Sequence, residues 1–140
     1  WQTTALREDD IRQDLILGLE QAKDTVLPRV HCHKRFKPFV EDVLPALLGK
    51  AQGEKRDEGA AMERKSAGFV ADPSGEDISS VVRDPLSFGS TRKVLILGPE
   101  GGFIPYEVEK FRAAGCRVVS LGERILKVET AVVAMLAKAN

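Results

Sequence analysis

The chain has no excess of either charge, few cysteines, little tryptophan or tyrosine, and no long apolar run. Its 140 residues hold 21 Lys+Arg and 21 Asp+Glu. No overall field therefore marks a nucleic-acid or membrane partner, and any basic surface has to come from local clustering. The two cysteines, Cys32 and Cys116, stand far apart in unrelated contexts. They suit free thiols in a reducing, cytoplasmic setting better than a disulfide framework. No apolar run approaches the roughly 20 residues that cross a bilayer. The chain opens at Trp1 with no basic segment and no cleavage pattern, so no secretory signal is expected. The length fits one domain, 1–140, with a single core.

What is present concentrates between Val94 and Ala131. Two short apolar runs, Val94 to Leu97 and Val118 to Leu121, are rich in β-branched residues and bounded by turn signals. They predict strands covered on both faces. Each is followed at once by glycine, Gly98 and Gly122. Between them Pro105 to Ala114 predicts a helix that Gly115 stops. Both loops therefore leave the carboxyl ends of parallel strands, where open α/β sheets bind ligands.

The first loop, Gly98-Pro-Glu-Gly-Gly102, removes side chains and lets backbone N–H and C=O groups approach a ligand closely. It has neither the G-x-G-x-x-G spacing nor the lysine of a phosphate loop. Glu100 is either a ligand contact or a cap on the next helix; the whole loop also reads as a plain tight turn. The second loop sets Arg124, Lys127 and Glu129 beside Ile125 and Leu126. Charges interleaved with apolar groups at a loop-to-helix junction suggest a lined pocket.

Ile96-Leu-Gly-Pro-Glu-Gly-Gly-Phe103, followed by Leu121-Gly-Glu-Arg-Ile-Leu-Lys-Val-Glu-Thr-Ala131, resembles the ribosomal RNA uridine-N3 methyltransferase family of the SPOUT superfamily. Those enzymes use S-adenosylmethionine. The likeness runs from about Leu15 to the end, weakly in the first half and strongly from Gly68 onward. Arginine is usual in that family where this chain has Lys127, so a planar fork becomes a point charge. The family also carries an N-terminal RNA-binding β-barrel ahead of the stretch seen here, and this chain is expected to lack it.

The resemblance implies a parallel sheet covered by helices, with a C-terminal deep trefoil knot. General topology rules alone predict an unknotted open sheet. It implies a cofactor pocket in which Leu97, Gly98, Gly101, Gly102, Leu121, Gly122 and Leu126 hold adenosine through their backbone. Pro99 and Ile125 belong to the same loops, and Glu100 and Thr130 add polar contacts. Arg124 orients the target base, and Lys127 shares that work. Glu129 is the nearest candidate base or else the partner of Arg124. Implied partners are ribosomal RNA or the small ribosomal subunit and a second copy of the chain, with no membrane and no metal. The alternatives are a different RNA target atom, or a non-catalytic knotted binding module in ribosome assembly.

The remaining chain is less specific. Asp9 to Lys23 predicts an amphipathic helix capped by Asp9 or Asp10. Arg29, Lys34 and Arg35, with Lys37, Phe36 and Phe39, suit phosphate contact and base stacking. They equally suit an exposed connection whose phenylalanines dock into the core. In His31-Cys32-His33 only the two histidines share a side of an extended chain, so no metal site is expected. Phe39 to Leu48 predicts a short helix, and 49–66 a polar surface segment. Gly68 to Ala71 predicts a strand closed by the turn Asp72-Pro-Ser-Gly75. In the resembled family that turn walls the cofactor pocket, with a residue other than Asp72 before the proline. Ile78 to Asp84 predicts a short helix, 84–91 a loop, and everything after Thr130 a last helix with an apolar stripe.

Overall fold

The computed structural model describes residues 7–49, 66–83 and 92–139. The expected polar segment and the loop before the first motif strand lie largely or wholly outside them. The chain divides into two compact units, Trp1–Lys34 and Arg35–Asn140. Among the described residues no helix is long and apolar enough to cross a membrane.

The first unit holds helix α1 (Glu8–Ala22). Its cap is Arg7, in extended backbone and without a side-chain hydrogen bond, not Asp9 or Asp10. Those two fall in the first turn beside Glu8, where carboxylates favour the helix through its dipole. Lys23 ends the helix in the left-handed conformation at φ 53°.

The second unit starts with helix α2 over 36–47, built of Phe36–Pro38, a wide turn Phe39–Val43 and Leu44–Leu47. In the wide turn the Leu44 N–H reaches back five residues to the Phe39 carbonyl. Pro45 explains the widening, because its ring would crowd the carbonyl four residues back. Gly49, at φ 73°, follows the helix. Then come β1 (Ser66–Asp77), α3 (Ile78–Val82), β2 (Arg92–Ile96), α4 (Pro105–Ala113), β3 (Arg117–Ser120) and α5 (Val128–Ala139).

The strands form a parallel sheet in the order β2-β1-β3. The two motif strands are thus not neighbours; both flank β1. Period-two alternation divides the core into two layers. Val70 and Val118 face one way, meeting Val40 and Leu44 of α2, Leu48 just after it, and Val108 and Phe111 of α4. Phe69 and Val119 face the other way, meeting Ile78 and Val81 of α3 and Met135 of α5. Helices thus cover both faces, as the apolar strands require. Phe36 and Phe39 pack against the first layer, and Phe36 meets Phe111 edge-on at 5.3 Å. Both phenylalanines dock into the core.

β1 is longer than the sequence suggests. The turn at 72–75 does not end it; Glu76 and Asp77 resume pairing with β3, and Ala71 and Glu76 both oppose Val119. A Cβ on Gly75 would come within 2.6 Å of the Val118 carbonyl. Only glycine lets the looped-out segment lie this close to β3. Arg117 clamps the same place, with Nη2 2.8 Å from Glu76 Oε1.

Candidate active site

The carboxyl ends of β2 and β3 and the looped-out turn within β1 open into one cleft of about 730 Å³, within the range usual for small-molecule sites. β1 contributes Ala71, Asp72 and Pro73. The loop after β2 contributes Leu97, Gly98, Pro99, Glu100, Gly101, Gly102 and Phe103. From the end of β3 and its loop come Ser120, Leu121, Gly122, Arg124, Ile125, Leu126 and Lys127, and from α5 Val128, Glu129 and Ala131. Thr130 alone of the expected pocket residues is not on the lining. It is exposed on the first turn of α5, because that helix starts at Val128 and turns Thr130 away from its lining neighbours.

The glycines have distinct local reasons. The Gly102 N–H donates to the Pro99 carbonyl at 2.8 Å, closing a turn with Gly102 at φ 71°. A Cβ on Gly98 would press on the Gly102 backbone at 3.3 Å, so Gly98 lets the loop fold on itself. Gly101 and Gly122 face open space, with Gly122 at φ 130°. Ser120 staples the second loop: its Oγ donates to the Gly122 carbonyl at 3.0 Å and accepts from the Gly122 N–H at 3.3 Å. The α4 terminus is served by Glu107, whose carboxylate accepts from the Ile104 N–H at 3.1 Å. Glu100 is therefore not the cap.

The charged groups of the cleft are available. Among the described residues, Glu100, Arg124, Lys127 and Glu129 make no side-chain hydrogen bond or ion pair, and all four are exposed. No Arg124–Glu129 pair forms. Asp72 differs: it is half-buried, and its Oδ1 accepts from the Ser74 N–H at 2.9 Å and the Ser74 hydroxyl at 2.6 Å. The resemblance placed the 72–75 turn on the pocket wall without a role for the Asp72 side chain, and Asp72 and Pro73 do line the cleft; Ala71, Phe103, Ser120, Val128 and Ala131 were not singled out as lining residues.

The basic cluster divides. Arg29 and Lys34 are exposed in the first unit. Arg35 begins the second unit, is exposed and is not on the cleft lining. Cys32 is exposed and Cys116 buried, both free thiols; Cys116 sits against Gly68, where a Cβ would meet its sulfur at 2.7 Å.

Known proteins carry the same fold. A ribosomal RNA small subunit methyltransferase E from Neisseria gonorrhoeae, solved bound to S-adenosylmethionine, superposes with a TM-score of 0.65 at 22% identity, covering 90% of this chain and 44% of that one. A Legionella pneumophila structure described as a methyltransferase in complex with S-adenosylmethionine gives 0.60 at 23% identity, covering 90% and 42%. In sequence, the ribosomal RNA small subunit methyltransferase E of Mesomycoplasma hyopneumoniae is 42% identical over 45 residues, 32% of this chain and 20% of that protein. The chain spans less than half the length of each of these relatives. Residues 1–140 match the RNA methyltransferase domain family throughout, and the chain belongs to that family.

Proposed function

We propose that this chain is the catalytic part of an S-adenosylmethionine-dependent enzyme that methylates N3 of a uridine in small-subunit ribosomal RNA. One observation carries the reading: the glycine loop after β2 and the charged loop after β3, separate in sequence, line a single cleft. The relatives bound to S-adenosylmethionine support the choice of cofactor. The motif likeness at Ile96–Phe103 and Leu121–Ala131 supports the target.

The cleft fits the cofactor in size, and Gly101 and Gly122 leave open the volume their side chains would take. Backbone of Leu97, Gly98, Gly102, Leu121 and Leu126 would hold the adenosine. When bound, S-adenosylmethionine supplies an electrophilic methyl group. The chain aligns the target base and excludes water. Arg124, unpaired and always protonated, stabilises the uracil anion left when N3 loses its proton. Lys127 adds positive charge, and Glu129, free of Arg124, is positioned to accept the proton.

The same reading implies a deep trefoil knot through which α5 passes, a cytoplasmic location and a homodimer. The dimer draws support from α5, which buries Met135 yet leaves Val133 67% and Leu136 55% exposed. The test is nucleoside mass mapping of small-subunit ribosomal RNA from cells with and without the gene. N3-methyluridine should disappear from one position, and an unchanged map rejects the reading.

A further inference from the structure

Asp72 stands apart from the other carboxylates of the cleft. Glu100 and Glu129 are exposed and unrestrained among the described residues. Asp72 is half-buried and held by the two donors of Ser74 on a single oxygen, Oδ1. Its turn is fixed by the approach of Gly75 to the β3 backbone and by the Arg117–Glu76 ion pair. A carboxylate accepts at both oxygens, so Oδ2 keeps its capacity, and among the described residues no cation neutralises the group, since Asp72 forms no salt bridge there. The cleft is also polarised. Its basic side chains, Arg124 and Lys127, belong to the β3 loop, whereas the β1 and β2 loops present only the carboxylates Asp72 and Glu100.

We propose that Asp72 is a positioning residue that anchors the α-ammonium group at the amino-acid end of the bound methyl donor. The inference rests on the cofactor reading above. A pre-set anion is best used by a cationic donor, because charge-assisted hydrogen bonds are about twice as strong as neutral ones. The ribose hydroxyls do not require a charge. Glu100 suits the role less well, since a free, long side chain loses more rotamer entropy on being fixed.

S-adenosylhomocysteine and 5′-methylthioadenosine share the adenosine and the thioether, and only the first carries the amino acid. Isothermal titration of wild type and Asp72→Asn with both compounds separates the possibilities. Asparagine keeps an oxygen for Ser74, so the turn survives, as a thermal melt will verify. Asp72→Asn should weaken S-adenosylhomocysteine binding roughly 10- to 100-fold, the effect of losing one charge-assisted hydrogen bond, and leave methylthioadenosine unchanged. Ser74→Ala keeps the charge and the backbone N–H donor but removes the hydroxyl that helps hold the carboxylate, and should give a smaller loss with the same selectivity. Equal losses for both compounds, or none, overturn the proposal while leaving the cofactor reading intact. Failure of wild type to bind either compound rejects both.

Discussion

Arg124 and Gly101 show how the surroundings of one position set what a substitution there will report. Arg124 is exposed and unpaired among the described residues, so it contributes little to the fold. Arg124→Ala should leave the melting midpoint and cofactor affinity nearly unchanged, while single-turnover methylation slows by roughly 10²–10³, the range for one preorganised electrostatic donor. Arg124→Lys should recover part of the rate, because the planar fork is lost. A large fall in melting temperature with normal chemistry would assign the residue to the fold instead. Gly101 has no positive φ and nothing within 4 Å of a Cβ. Gly101→Val therefore keeps the loop and fills only the cleft; calorimetry should show cofactor binding abolished on a protein that melts normally. Gly102 and Gly122 make poorer probes, since positive φ strains any side chain there.

Between elements, the clearest polar tie is Lys110 of α4 with Glu41 of α2, at 2.9 Å. The hydrogen bond from Lys110 holds the Glu41 carboxyl below its ordinary 4.5, and the same bond raises Lys110 above its ordinary 10.5. A lowered carboxyl stabilises the fold above its ordinary value, and that contribution is lost as pH falls through the folded one. Glu41→Gln should therefore melt slightly below wild type at neutral pH, with the gap closing as pH drops below 4.5. Both groups are solvent-accessible, so added salt should shrink the gap as well. Melting curves across pH and ionic strength check the sign; a gap that widens in acid contradicts it.

Across the whole molecule, α5 lets folding be tested apart from the proposed dimer. Met135 is fully buried in the layer with Phe69 and Val119, so Met135→Ala should cost about 2–5 kcal/mol of stability. Val133 is exposed on the same helix, and Val133→Asp should leave the melting of the isolated chain near that of wild type while abolishing dimerisation. Light scattering at tens of micromolar measures the second effect. A wild type that is already monomeric there, where a specific interface of ~1,600 Å² holds, removes the dimer from the reading.

The local elements and both motif loops were legible in the residues. β-branched runs ending in glycine predicted β2 and β3 to within two residues, and Gly115 stopped α4 where expected. The periodicity of these segments depends on short-range geometry, which the chain carries in its own order. Other features depended on atoms brought together from far apart. The continuation of β1 past its turn needed β3 alongside, and Gly75 gives no hint in sequence that its missing Cβ makes room for the Val118 carbonyl. The docking of Phe36 needed Phe111, 75 positions later. Capping of α4 by Glu107 rather than Glu100 was a matter of which carboxylate reached the Ile104 N–H. Resemblance put the Asp72 turn on the pocket wall, but its neighbours in sequence describe only a turn and give the side chain no role. Its place on the cleft follows from the strand order β2-β1-β3, which puts the turn of the central strand between two loops that come later in the chain. Periodicity and turn chemistry are local and can be read along the chain; strand order is a long-range packing result, and it alone sets which loops share a wall.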